Sequence, residues 1–181
     1  MIRESRLALA RCAAAFFILA ATSSCVTPVA PKEYQFATGS KSGLVVVSFT
    51  QPFSYLEWTY RGSNGGLFRP VDICSTRPAC GYTEVLPGGT MVYALEVPAG
   101  EWDFVSWSEE RQGIYHHSKE PFRVRFRSVA GRVTYAGNIQ LSASGIATRD
   151  ESARDVEAFL RQYKNVKPDQ VDTHIMNLVN E

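Results

Sequence analysis

In runs at 91–107, 122–127 and 133–141 the side chains alternate at every second residue, a period that strands satisfy and helices do not. Met91, Tyr93, Leu95 and Val97 alternate with Val92, Ala94 and Glu96. Pro98-Ala99-Gly100 then turns the chain: proline presets φ at the second turn position and glycine supplies φ > 0 later. Trp102, Phe104 and Ser106 continue on one face, with Asp103, Val105 and Trp107 on the other. Phe122 to Arg127 alternates cleanly, Val129-Ala130-Gly131-Arg132 turns, and Val133, Tyr135, Gly137, Ile139 and Leu141 alternate with Thr134, Ala136, Asn138 and Gln140. Strands with one apolar face are half-buried and antiparallel.

Earlier segments add to the pattern. Leu44 to Thr50 is β-branched and apolar, and Pro52 ends it. Leu56, Trp58 and Tyr60 share a face before the Ser63-Asn64-Gly65-Gly66 turn, and Leu67 to Ile73 is a weaker strand interrupted by Pro70. About seven short strands with frequent turns predict a sandwich or a barrel. The expectation is one mainly β domain, an antiparallel β-sandwich (Ig-like or transthyretin-like) with one or two C-terminal α-helices.

The period changes at the C-terminus. Val156, Phe159, Leu160 and Tyr163 stand at i, i+3, i+4 and i+7, one face of a helix. Ser152-Ala153-Arg154-Asp155 reads as a capping box, with Asp150 as the alternative cap. A second short helix is expected from Pro168, with Val171, Ile175, Leu178 and Val179 as its apolar positions. Both helices are expected to cover their apolar faces on the sheet.

The N-terminus carries an address. Arg3, Arg6 and Arg11 precede the apolar run Cys12 to Ala21, and Thr22, Ser23 and Ser24 stand directly before Cys25. Positive residues, a short apolar run and small residues make a secretory signal. The run is too short to span a bilayer, which takes about 20 apolar residues. A cysteine just after the cut resembles a bacterial lipoprotein signal, in which Cys25 carries the lipid and begins the mature chain. Thr22 departs from the leucine usual at that place. The alternative is an ordinary secreted protein cut near Ala21-Thr22-Ser23. Position 26 is Val rather than Asp, which by the same resemblance implies the outer membrane. The expected organisation is a signal peptide at 1–24, a lipidated tether at 25–42, a β-sandwich at 43–149 and a helical segment at 150–181.

The other cysteines fit that compartment. Cys12 leaves with the signal, and Cys74 and Cys80 remain as a pair bracketing Ser75-Thr76-Arg77-Pro78-Ala79. In an oxidising compartment such a pair closes as a disulfide. The competing reading is a redox or metal pair, but the spacing is not Cys-x-x-Cys and no nearby Cys/His motif completes a zinc site. Removing residues 1–24 takes three Arg and one Glu and leaves 16 basic and 17 acidic residues. No basic field for nucleic acid exists.

Three segments carry a family likeness: Leu95-Glu96-Val97-Pro98-Ala99-Gly100-Glu101-Trp102-Asp103-Phe104, Val133-Thr134-Tyr135-Ala136-Gly137-Asn138-Ile139, and Arg154-Asp155 with Tyr163 downstream. The first resembles the Pro-Ala-Gly-Glu-aromatic hairpin, and the second the Tyr-x-Gly-Asn/Glu-Ile strand, of uncharacterised Gram-negative lipoproteins built on a β-sandwich domain of unknown function. The resemblance covers residues 43–165, implies that fold, and brings no catalytic residues.

Candidate chemistry is sparse. His116 and His117 are adjacent, so on an extended segment their rings point to opposite faces and do not share a metal easily. His174 has no His-x-x-x-His partner, and no Gly-x-Ser-x-Gly elbow exists. Asp103, Glu109 and Glu110 are the candidate paired carboxylates, with Asp103 expected to face away from the core and the glutamates to be a solvated loop. Arg123, Arg125 and Arg127 share one strand face, and Arg132 follows the turn. They read either as a site for an anionic partner or as a solvated face that discourages edge pairing. Trp107 and Tyr115 flank a polar loop and are the candidates for stacking on sugar rings. The expectation is an outer-membrane lipoprotein facing the periplasm that binds or organises rather than catalyses, with no cofactor, no metal and no nucleic acid. The partners expected are the membrane, through the anchor, and an envelope protein or glycan. A glycan- or peptidoglycan-binding module and an envelope hydrolase are the alternatives.

Overall fold

The computed structural model describes residues 29–50, 55–62, 69–74, 84–111, 114–118, 121–142 and 145–179. The signal segment, Cys25 and Cys80 lie outside these. The chain runs through β1 (Ser42–Thr50), β2 (Tyr55–Gly62), β3 (Arg69–Cys74), β4 (Glu84–Leu86), β5 (Thr90–Pro98), β6 (Gly100–Arg111), β7 (Ile114–His117), β8 (Val124–Ser128), β9 (Val133–Ser142) and β10 (Gly145–Arg149). Helix α1 (Ser152–Gln162), a 3₁₀ turn (Pro168–Gln170), β11 (Val171–Thr173) and β12 (Asn177–Leu178) follow.

These elements form a β-sandwich with a C-terminal helix, as the alternation predicts. One six-stranded sheet has the order β10-β9-β1-β5-β4 with β11 also on β9; the other has the order β12-β8-β6-β2-β3 with β7 on β6. The first sheet is mixed: β1 runs antiparallel to β5 but parallel to β9. Pro70 is tolerated because β3 is an edge strand.

Alternation sorts the first sheet into two faces. Val45, Val47 and Phe49 of β1 and Met91, Tyr93, Leu95 and Val97 of β5 point between the sheets, where they meet Trp58, Tyr60, Phe104 and Phe126. Leu44, Val46, Val92 and Ala94 point the other way and are covered by Ala158, Phe159 and Tyr163 of the helical segment. The helix therefore packs on the sheet, as expected, and makes a third layer. Both faces of its central strands β1, β5 and β9 are buried.

Two register shifts move side chains across faces. In β6, Tyr60 pairs with Phe104 and Thr59 with Ser106, so Val105 is the extra residue of a bulge. Trp107 then stands opposite the fully buried Trp58 and packs against the inter-sheet core. Period-2 counting puts Trp107 on the face away from Phe104; the bulge returns it to the same side. In β9, Val46 pairs with Tyr135 and Val47 with Gly137, leaving Ala136 extra. Tyr135 lies under the helix while Ile139 lies between the sheets, although the sequence puts both on one face. Gly137 has φ of 109°, and a Cβ there would lie 3.1 Å from the Arg149 carbonyl oxygen, so the shift falls where glycine allows it.

The expected tether is in large part domain. Val29 makes an antiparallel bridge with Leu95, and the Ala30 N–H donates to the Ala94 carbonyl at 2.8 Å. The Tyr163 hydroxyl donates to the Ala30 carbonyl, and Tyr34 and Phe36 pack against the helix-side core. The reason lies in β4, which pairs with β5 only between Thr90 and Val92. Beyond Val92 the edge of β5 is open, and residues 29 and 30 supply partners for it.

The second helix is not formed. Pro168 opens a single 3₁₀ turn, and Val171–Thr173 lies parallel to β9 at Val133 to Tyr135. The chain then crosses between the sheets. The His174 and Met176 N–H groups donate to the Tyr135 and Ala136 carbonyls, Met176 enters the inter-sheet core, and β12 pairs antiparallel with β8. A short isolated helix is marginal, whereas the open edges of β9 and β8 offer these residues a ladder. The C-terminal segment is a strap closing one side of the sandwich. Among the described residues no helix is long and apolar enough to cross a membrane.

Candidate functional site

Two polar clusters stand out, one on each outer face. Under the helix, Asp155 is fully buried. Its Oδ2 accepts from the Ser48 hydroxyl at 2.5 Å and the Tyr135 hydroxyl at 2.8 Å, and its Oδ1 accepts from Arg154 Nε at 2.8 Å. Asn138 Nδ2 donates to Ser48 Oγ and to Thr50 Oγ1, and the Thr50 and Thr90 hydroxyls are 2.6 Å apart. Burial first, and then the Asp155 charge, push the Tyr135 phenol far above its ordinary value and keep it a donor. Asp155 therefore does not cap the helix. Nor is Asp150 the N-cap: that residue is Glu151, without a side-chain cap bond, and Asp150 Oδ1 accepts from the Ser152 N–H at 2.9 Å from one position earlier. The cluster spans β1, β5, β9 and α1 with its members bonded to one another, so it fixes where the helix starts on the sheet.

The second cluster lies on the outer face of the second sheet and holds the candidate arginines. Asp103 faces away from the core, as the alternation predicts, yet it is fully buried. Arg123 and Arg125 cover it. Arg123 donates to Oδ2 from Nε at 3.1 Å and from a terminal nitrogen at 2.8 Å, and Arg125 Nε donates to Oδ1 at 2.9 Å. The solvated strand face is thus a closed ion-paired unit around one carboxylate. Arg127 is exposed, and among the described residues no ion pair holds it. Beside it Glu101 stands as the cross-strand neighbour, with its Oε2 4.0 Å from Arg125 Nη1. Arg132 is removed from the group by a two-point ion pair with Asp172 at 2.7 and 2.9 Å.

Burial opposes ionisation of Asp103, but the Arg125 and Arg123 hydrogen bonds and charges together outweigh it and hold the carboxyl below its ordinary value. A depressed folded value contributes stability above the unfolded pKa of about 3.9 and loses it as pH falls through the folded value. Asp103→Asn is therefore expected to cost more at pH 7 than at pH 3. Urea titrations at the two pH values read this, and an equal cost at both contradicts the assignment.

A cleft of about 370 Å³ opens between β8 and the strap, lined by Glu101, Arg125, Arg127, Thr173, His174 and Asn177 among others. The sequence points to Arg125 and Arg127 but not to their companions. His174, read as part of a helix, is carried to this wall by the strap. The available signal is the β-branched Val171-Asp172-Thr173 after a proline, which reads as a strand as readily as a helix.

The other candidates do not converge. His116 and His117 are exposed on β7, opposite Glu109 and Ser108 of β6. Tyr115 precedes them in the chain and pairs with Glu110. Trp107 is half-buried against the core rather than standing on the outer face. Cys74 ends β3; its pairing with Cys80 lies outside the described residues, as does lipidation of Cys25. Among the described residues no three His, Cys, Asp or Glu side chains gather as a metal set.

No protein-family model matches the chain, and no curated protein matches it. Among solved structures, a leucine-rich repeat protein from Bacteroides thetaiotaomicron aligns with 57% of this chain at 13% identity and a TM-score of 0.37. The chain spans only 14% of that protein's length.

Proposed function

We propose that this chain is an outer-membrane lipoprotein, anchored through acylated Cys25 and facing the periplasm, whose sandwich is a non-catalytic binding or envelope-organising module. The observation that carries the reading is the place where the fold takes hold of the chain. Val29, four residues after Cys25, already pairs with β5. Four residues reach at most about 14 Å, so an anchor at Cys25 holds the domain against the bilayer rather than on a long leash. The order of arginines, apolar run, small residues and cysteine supports the anchor, and Val26 supports the outer membrane. Acyl chains contribute about 0.8 kcal/mol per buried CH₂, and two or more give stable attachment. Confinement raises the effective concentration of the domain near membrane-bound partners. The likeness to uncharacterised lipoproteins with a β-sandwich points the same way. In that oxidising compartment Cys74 and Cys80 close as a disulfide.

Expression in a Gram-negative host tests this. The wild-type chain is expected in the detergent-extracted outer-membrane fraction, and Cys25→Ala is expected to leave it. Wild-type protein free in the periplasm contradicts the proposal.

A further inference from the structure

The cleft between β8 and the strap lies at one end of the sandwich, the end toward which β5 runs from its bridge with Val29. Gly100 pairs with Ser128 and Glu101 with Arg127 next to the β5–β6 and β8–β9 turns. Thr173 pairs with Tyr135 near the start of β9. The bridge of Val29 to Leu95 is antiparallel, so the backbone at Val29 arrives from the side of Pro98, where β5 ends and that turn begins. An anchor within about 14 Å of Val29 puts this end of the sandwich toward the bilayer.

The charges in and beneath the cleft are specific in kind. Asp103 is consumed by Arg123 and Arg125. Glu101, Asp103, Arg123, Arg125 and Arg127 together leave one positive charge in excess. That is too little for a polyanion and enough for one phosphodiester, held by the exposed Arg127 and the outer edge of Arg125. Glu101 is 57% exposed at the same rim, placed to receive a cation attached to that phosphate. Asn177, Thr173 and His174 add hydrogen-bonding groups to the lining. A carboxylate within 4.0 Å of an arginine is unfavourable for a bare anion and favourable for a zwitterion.

We propose that this cleft seats the phosphate–ammonium headgroup of a phospholipid in the membrane that carries the anchor, with the phosphate on Arg125 and Arg127 and the ammonium on Glu101. The proposal rests on the anchoring reading for the source of the headgroup, and on the cleft alone for its chemistry.

The test uses mature protein extracted from membranes in a non-ionic detergent and titrated with glycerophosphoethanolamine, followed by amide NMR. Saturable shifts confined to β8 and residues 173–177 are expected, with binding weakened tenfold or more in Arg127→Ala and several-fold in Glu101→Gln. Arg127 and Glu101 are exposed, so both variants are expected to fold, and the unchanged remainder of the spectrum shows it. Absence of shifts overturns the site. Equal binding of glycerophosphate, or no effect of Glu101→Gln, overturns the ammonium contact. Inorganic phosphate binding as tightly overturns the headgroup. The intact mass of the same sample reads the anchor separately. Acylated protein without shifts sinks the cleft and leaves the anchor standing, whereas shifts on unacylated protein sink the bilayer as the source.

Discussion

Asp155→Ala is expected to lower the stability of the domain by about 2–4 kcal/mol, because two buried hydroxyls lose their acceptor at about 1–3 kcal/mol each. The carboxylate is the hub for Ser48, Tyr135 and Arg154. Alanine leaves a buried hydroxyl on β1 and a buried phenol on β9 without their acceptor, each at its own desolvation cost, while the part-exposed Arg154 keeps Glu151 at 3.8 Å. Asn138 loses nothing directly, because it donates to Ser48 and Thr50. Asp155→Asn is expected to cost less, since its amide oxygen still accepts from one hydroxyl, though its NH₂ faces Arg154 or the other hydroxyl. Urea unfolding at pH 7 reads both variants. A loss below 1 kcal/mol for the alanine variant would show that the helix is held by its apolar face alone.

Phe104→Ala is expected to cost about 3–5 kcal/mol, the usual range for emptying a buried phenylalanine site. Phe104 is fully buried between the sheets. Its ring lies 4.8 Å from Phe126 in a stacked arrangement, and 5.7 to 6.1 Å from Tyr60, Phe49 and Trp58 in edge-on ones. Four aromatic neighbours on three other strands cannot all relax into one void, so the cavity term adds to the transfer term. Phe104→Leu keeps most of the volume and is expected to cost less than about 1.5 kcal/mol. Thermal or urea melts give the values, and the near-ultraviolet circular dichroism of Trp58 and Tyr60 reports the loss of packing around them. Equal costs for the two variants contradict a packing origin.

Each of these residues was legible to a different degree. Phe104 sits where alternation puts it, because Trp102-Asp103-Phe104 precedes the bulge and pairs in regular register with β8. Asp155 follows a serine three residues back, which is a capping spacing, and nothing local says that Ser48 and Tyr135 wait for it on β1 and β9. Such a partner is a property of tertiary packing, invisible to a window of neighbouring residues. Period-2 counting misplaces Trp107 and Ile139 for one reason: a single extra residue in a strand reverses the parity of everything after it. Gly137 marks one of the two shifts, since glycine inside a strand is a bulge signal; Val105 carries no mark.

The edges were harder still. Glu84–Leu86, Ile114–His117 and Asn177–Leu178 are short strands at or near sheet edges, and their order comes from the ladder they join rather than from their own pattern. The same holds for the strap and for Val29 and Ala30, which look like helix and tether until β9 and β5 offer them open edges. The charged side of the site shows the same limit. Asp103 and the three arginines are readable as outward-facing, and isolated charges on such a face are solvated. Their mutual burial follows from β6 and β8 being neighbours, which places Asp103 opposite Arg125.

The intact mass of the mature protein from Gram-negative membranes, beside that of Cys25→Ala, is the most direct measurement to make. A mass that begins at Cys25 and carries acyl chains, absent from the variant, is the expected result, and it places the domain within a few residues of the bilayer. An unacylated mass cut near Ser23 would contradict it and make the sandwich a freely diffusing secreted domain.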